Sequence, residues 1–213
     1  MSAETKARDA MARWGKSLFD RGLTGGSSGN LSVAVEDGLL ITPTNSCLGF
    51  LDPARIAKLD SEGRLLGGDP PSKEVFLHRA FYETRAGVGA VVHLHSTYAT
   101  ALSCLAGVDP DDCLPPLTPY VAMRVGRVKL LDYVRPGDPA MGEMIRALNG
   151  ACSAVLLANH GPVVSARDLD GAVYAMEEFE ETAKLAVILR GAPTRLLTEA
   201  QIAELGQVFK GMR

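Results

Sequence analysis

The chain has 213 residues, 46% hydrophobic and 22% charged, which is enough apolar material for one sizeable core. A net charge of −3 with no basic run argues against nucleic acid as a partner, and no apolar stretch is long enough to cross a bilayer. Residues 1–6 open a charged helical pattern without a signal-peptide core, and the four cysteines form no CxxC pair, so the expectation is a single cytoplasmic domain over 1–213 with reduced thiols.

Ala7, Ala10, Met11, Trp14 and Leu18 recur at helical spacing and predict an amphipathic helix over 4–21. A glycine-rich loop follows from Gly22 to Asn30. Residues 31–35 and 39–42 read as strands joined through Glu36-Asp37-Gly38, a hairpin signal, and Thr42-Pro43-Thr44-Asn45 makes a second loop. Pro70-Pro71 precede Ser72, an N-cap for a helix running through Tyr82. An apolar run predicts a buried strand over 90–95, with a helix starting at Thr97. Pro115, Pro116 and Pro119 mark an irregular crossing segment, and 128–131 a short strand. Residues 139–148 read as a helix, and 154–157 as a buried strand leading to His160. A long helix covers 169 to about 189, and Thr198 with Gln201 forms a capping box for the last one. Strands and helices mix without strict alternation, which predicts one α/β layered domain with a mixed, mainly antiparallel central sheet flanked by helices.

Chemistry concentrates in few residues. His93 and His95 lie two apart in the apolar run Ala90-Val91-Val92-His93-Leu94-His95. Alternate strand residues face one side, so both imidazoles point at one spot. Burying two imidazoles is costly without partners, and a metal supplies a partner for both; zinc suits nitrogen ligands with one position left open for substrate. His160 follows an apolar strand and precedes Gly161-Pro162, at a sharp turn of the kind found where ligands collect at sheet ends. His78, on the predicted helix, lacks such a context and is expected to serve packing or surface. Glu74 falls in the first turn of the helix capped by Ser72, where an acid complements the helix dipole.

Five blocks in order resemble the class II aldolase family typified by fuculose-phosphate aldolase and ribulose-phosphate 4-epimerase. They are Gly26-Ser27-Ser28-Gly29-Asn30-Leu31-Ser32, Ile41-Thr42-Pro43-Thr44, Pro71-Ser72-Lys73-Glu74, His93-Leu94-His95 and Asn159-His160-Gly161. The resemblance implies zinc (or manganese or cobalt) on His93, His95 and His160, with Glu74 beside the metal as the acid/base carboxylate. It also implies phosphate-binding loops at Gly29, Asn30, Thr44 and Ser72. Two positions depart from the sugar-phosphate aldolase pattern: Lys73 replaces a serine and Asn45 a glycine, and both are expected to bind the substrate or its phosphate. With Cys47-Leu48-Gly49, Leu51-Asp52-Pro53 and the segment from Leu114 to Tyr120, the chain is most similar to the 3-oxo-tetronate 4-phosphate decarboxylase branch. Those enzymes release carbon dioxide and dihydroxyacetone phosphate through a metal-bound enediolate. Tyr120 matches an active-site tyrosine that relatives contribute from a neighbouring subunit, so a homotetramer is implied.

The metal site would serve decarboxylation and aldol cleavage alike, since both leave the same electron pair beside a carbonyl. The motifs therefore leave open an aldolase acting on fuculose or rhamnulose 1-phosphate and a ribulose-phosphate 4-epimerase. A non-catalytic scaffold like the cytoskeletal relatives, adducin among them, fits less well with Glu74 and three histidines all present. The substrate in each catalytic case is a small phosphorylated sugar or sugar acid.

Overall fold

The computed structural model of the chain describes residues 1–209. It opens with helix α1 (Ala3–Asp20), whose first turn is capped by Ser2 accepting from the Thr5 N–H. Strands β1 (Asn30–Val35) and β2 (Gly38–Ile41) form the expected hairpin and are followed by the three-residue strands β3 (Ala57–Leu59) and β4 (Leu65–Gly67). Next come α2 (Val75–Thr84), β5 (Ala90–His93), α3 (Thr97–Ser103) and α4 (Pro119–Arg124). The remainder is β6 (Lys129–Leu131), α5 (Ala140–Ala147), β7 (Ala154–Leu157), β8 (Gly161–Ala166), α6 (Leu169–Ile188) and α7 (Glu199–Val208).

Among the described residues, eight strands form one sheet in the order β4-β3-β2-β1-β5-β8-β7-β6. Neighbours are antiparallel except β6 and β7, which run parallel. The mixed, mainly antiparallel sheet flanked by helices is thus the observed architecture.

The central strands are buried on both faces, which is why 90–93 and 154–157 are continuous apolar runs rather than alternating ones. The period of two still decides which helices each residue meets. Ala90, Val92, Leu156 and Val164 pack with Met11, Leu18, Met176 and Phe179 of α1 and α6. Val91, Val155 and Val163 pack with Leu77 and Phe81 of α2 and with Met141 and Ile145 of α5. Leu31 belongs to the first layer, so its neighbours Asn30 and Ser32 face α2, as does His93. Polar residues from one end of β1 and β5 are therefore aimed beneath the start of α2.

Besides the unexpected strands β3, β4 and β8, three features differ from the sequence expectation. The strand predicted over 90–95 ends at His93, with one further ladder bond from Leu94 N–H to the Pro162 carbonyl, so His95 lies past its end. The segment around Pro119 is not wholly irregular: Thr118 caps a short helix with proline in its first turn, where a missing N–H costs nothing. Finally, α2 begins at Val75, not at Ser72. An antiparallel bridge between Pro43 and Pro71 holds this stretch extended, and the Ser72 hydroxyl accepts the Glu74 N–H in a local turn. Glu74 thus occupies the cap position with a side chain that caps nothing.

Candidate metal centre

Three chain segments meet at one end of the sheet. His93 closes β5, opposite Asn30 on one side and Val163 on the other. His95 lies just past the strand end. His160 sits in the tight turn between β7 and β8, closed by its N–H to the Leu157 carbonyl at 3.1 Å. Asn159 adopts φ +55°, a left-handed conformation that asparagine tolerates better than most residues. Gly161 follows because a Cβ there would stand only 2.4 Å from the Leu94 carbonyl oxygen. This close approach is what sets His160 against the His93-Leu94-His95 segment.

The result is a triangle of Nε2 atoms: His93 to His95 at 3.2 Å, His93 to His160 at 3.3 Å and His95 to His160 at 3.1 Å. Four-coordinate zinc with bonds of about 2.0–2.1 Å would place its nitrogen ligands roughly 3.3–3.4 Å apart, so the triangle fits such an ion closely. The tautomer of His93 also fits. His93 Nδ1 donates to the Pro162 carbonyl at 2.8 Å, which leaves the lone pair on Nε2 and fixes the ring plane. Burial pushes His93 down to about 4, with the His95 and His160 rings adding to the effect against Glu74. Loss of water around the ring and the neighbouring His160 likewise hold His95 below its ordinary value. Neutral rings near pH 7 are the form a metal requires. Three converging lone pairs would repel one another, and a cation resolves that conflict. His93 and His160 are buried while His95 is exposed, so the centre opens to solvent on the His95 side.

Glu74 faces the same vertex, with Oε1 3.4 Å from His160 Nε2 and Oε2 3.5 Å from His93 Nε2. Burial alone would raise its carboxyl, but His160, His93 and the Asn30 amide outweigh it and hold the group well below the usual carboxylate range. A trio of imidazoles beside an ionised carboxylate can hold a divalent ion and carry a proton next to it.

Residues 9–187 match the family model described as the class II aldolase and adducin N-terminal domain. The chain belongs to this family. It is 52% identical over 206 residues to the 3-oxo-tetronate 4-phosphate decarboxylase of Pectobacterium atrosepticum, covering 96% of this chain and 94% of that protein. The Escherichia coli K12 protein of the same name is 52% identical over 203 residues, covering 95% and 96%. Among solved structures, Escherichia coli YgbL superposes with a TM-score of 0.93 at 50% identity, covering 96% of this chain and 99% of that one. An L-fuculose 1-phosphate aldolase gives 0.88 at 29% identity, covering 99% and 98%.

Of the loop residues the sequence singled out, this class II aldolase chain brings Gly29 and Asn30 against the histidine cluster, while Thr44 and Asn45 line a cavity that includes none of the three histidines. Gly29, with φ +80°, passes so close to β5 that a Cβ would lie 2.9 Å from the His93 carbonyl. The loops carrying Thr44 and Ser72 are tied side by side: Thr44 N–H donates to the Pro70 carbonyl at 3.0 Å, and Ser72 N–H to the Thr42 carbonyl at 3.1 Å. Thr44 and Asn45 line a cavity of about 200 Å³ with Ser46, Arg55 and Asp69. Lys73 is exposed beside Glu74. Both ends of the Asn30 amide are engaged, Nδ2 with Glu74 Oε2 at 2.9 Å and Oδ1 with His78 Nε2.

Tyr120 stands apart. It is exposed in the first turn of α4 and lines a surface depression with Arg124, Tyr174 and Glu178 that includes none of the three histidines. Sequence reasoning missed His78, which is fully buried and hydrogen-bonded on both ring nitrogens. Its signal was available: Glu74, His78 and Tyr82 recur every four residues, the spacing of one helix face.

Proposed function

We propose that this protein is a metal-dependent carbon–carbon lyase that decarboxylates 3-oxo-tetronate 4-phosphate to dihydroxyacetone phosphate and carbon dioxide. The observation carrying this reading is the triangle of His93, His95 and His160 with Glu74 at its edge, in a chain about half identical to decarboxylases over nearly its whole length. The donor set of three imidazole nitrogens suits zinc, with manganese or cobalt able to replace it. Bound there, the ion supplies a Lewis-acid sink for the electron pair released as the C1–C2 bond breaks.

The residues divide the remaining work. The fold uses the backbone N–H groups of Thr44 and Ser72 internally, so the Thr44 hydroxyl and the O–H of Ser72, whose oxygen accepts from Glu74 N–H, are left to meet the substrate phosphate, with Gly29 and Asn45 shaping the loops around it. Lys73 adds a positive charge at the same edge and suits a substrate bearing both a phosphate and a carboxylate. Asn30 aims Glu74 rather than offering its amide to the phosphate. As carbon dioxide leaves, the electron pair stays on C2, and Glu74, ionised at rest, takes one proton from solvent and delivers it there. One proton is consumed per turnover. Tyr120 assists this transfer from a neighbouring subunit of a homotetramer, a reading supported by its exposure in a depression that none of its own chain's three histidines lines.

The test is a product assay on two substrates, 3-oxo-tetronate 4-phosphate and L-fuculose 1-phosphate. Equal amounts of dihydroxyacetone phosphate and carbon dioxide from the first, with one solvent deuterium in the product made in heavy water, support the proposal. Rapid dihydroxyacetone phosphate formation from the second alone would assign the site to an aldolase.

A further inference from the structure

Beneath α2 a chain of polar groups leads away from Glu74, buried at Asn30, His78 and Ser32. Glu74, His78 and Tyr82 project from one face of the helix, and Asn30 and Ser32 project towards them from alternate positions of β1. Asn30 Nδ2 donates to Glu74 Oε2 at 2.9 Å, and Asn30 Oδ1 meets His78 Nε2. His78 Nδ1 lies 2.7 Å from the Ser32 hydroxyl, which lies 2.9 Å from the Tyr82 hydroxyl.

The chemistry of the ends fixes the direction of every bond. An ionised carboxylate only accepts, so Asn30 must turn its NH₂ to Glu74 and its oxygen to His78. His78 must then carry its proton on Nε2. A neutral ring leaves Nδ1 bare, so it accepts from Ser32, whose oxygen in turn accepts from Tyr82. Full burial keeps His78 neutral, down to about 3, in agreement with that assignment. Donors run one way, from Tyr82 O–H through Ser32 and His78 to Asn30 and Glu74. An amide does not relay protons readily, so the chain orients the carboxylate rather than feeding it.

We propose that His78 is a positioning residue: it locks the Asn30 amide, with Ser32 and Tyr82 behind it, so that the Glu74 carboxylate is held in one orientation towards the reacting carbon. This rests on Glu74 being the proton carrier of the proposed reaction. Without the His78 donor, the Asn30 amide is free to turn and Glu74 loses its side-chain partner outside the histidine triangle. Outer partners of this kind are worth about 10–100-fold when removed from comparable sites.

The experiment compares His78→Gln, whose amide NH₂ reaches the position of Nε2, with His78→Leu, which offers no donor. Zinc content, melting temperature, kcat and KM are measured for each, and the crystal structure of His78→Leu is determined. The expected result is kcat lowered about 10–100-fold in His78→Leu at unchanged KM and zinc content. His78→Gln should stay within about threefold of the parent, and the Glu74–Asn30 contact should be lost in His78→Leu with the histidine triangle intact. Equal losses in both variants, or an unmoved Glu74 in His78→Leu, would overturn the proposal. Should His78→Leu fail to fold, Tyr82→Phe takes its place: a kcat loss at constant KM supports the chain, and parental kcat refutes it. The structural readout does not depend on the substrate, so a failed decarboxylase assignment would remain distinguishable from a failed positioning role.

Discussion

Replacing Gly161 by alanine strikes the contact that brings the three histidines together. The new Cβ would lie 2.4 Å from the Leu94 carbonyl oxygen and 3.4 Å from His95 Cα. Carbon–oxygen contacts relax at roughly 3.3 Å, so the two segments must part by about 0.9 Å. That parting falls between His160 on one side and His93 and His95 on the other. Metal–ligand distances tolerate only about 0.2 Å, so the triangle cannot absorb it and keep all three bonds. Metal affinity should fall by at least about 10–100-fold, the loss typical of disturbing a ligand's support. Folding stability should fall by about 1–3 kcal/mol. Gly87→Ala is the control, since its φ of +78° imposes backbone strain but nothing lies within 4 Å of the added carbon. It should lose about 1–2 kcal/mol of stability with no change in metal affinity. A competitive zinc titration and a thermal melt on both variants make the comparison. Parental zinc affinity in Gly161→Ala would refute the reasoning that this contact sets the site.

Glu74→Gln keeps the shape of the side chain but cannot carry the proton, so turnover should drop by about 10²–10⁴-fold with zinc content retained, measured by carbon dioxide release and metal analysis. Lys73→Ser should raise KM for the acidic 3-oxo acid phosphate more than for a neutral sugar phosphate; equal changes would remove Lys73 from substrate choice. Stability should also depend on pH through His78, whose folded value lies near 3 against an ordinary 6.5. The unfolded ring gains a proton below 6.5 that the folded ring refuses, so stability is lost as pH falls through that window and is unaffected above it. Between pH 7 and pH 5 the loss is about 2 kcal/mol, and urea unfolding of His78→Gln should show a correspondingly smaller drop than the parent.

The clustering of three histidines was legible because their spacing carries geometry: two histidines two apart in an apolar run, and a third at a turn after another such run. The sheet's central strands and the long helices were legible for the same reason of period and length. Short elements were less so, β6 excepted. Three-residue β3 and β4 hold too few side chains to show an alternation. In β8, Gly161-Pro162 reads as a turn, yet Pro162 contributes its carbonyl, which accepts from both Leu94 N–H and His93 Nδ1. The true start of α2 depended on the bridge between Pro43 and Pro71, a contact between loops far apart in the chain. His78 looked like packing because its partners come from β1, more than forty residues away. Tyr120 has no partner in its own chain's site, so its assignment rests on assembly.

The most direct measurement follows carbon dioxide and dihydroxyacetone phosphate from 3-oxo-tetronate 4-phosphate with native, chelator-stripped and zinc-reloaded protein. Equal amounts of both products, abolished by stripping and restored by zinc, are what the three converging imidazoles predict. Undiminished turnover by the fully stripped protein would contradict the account.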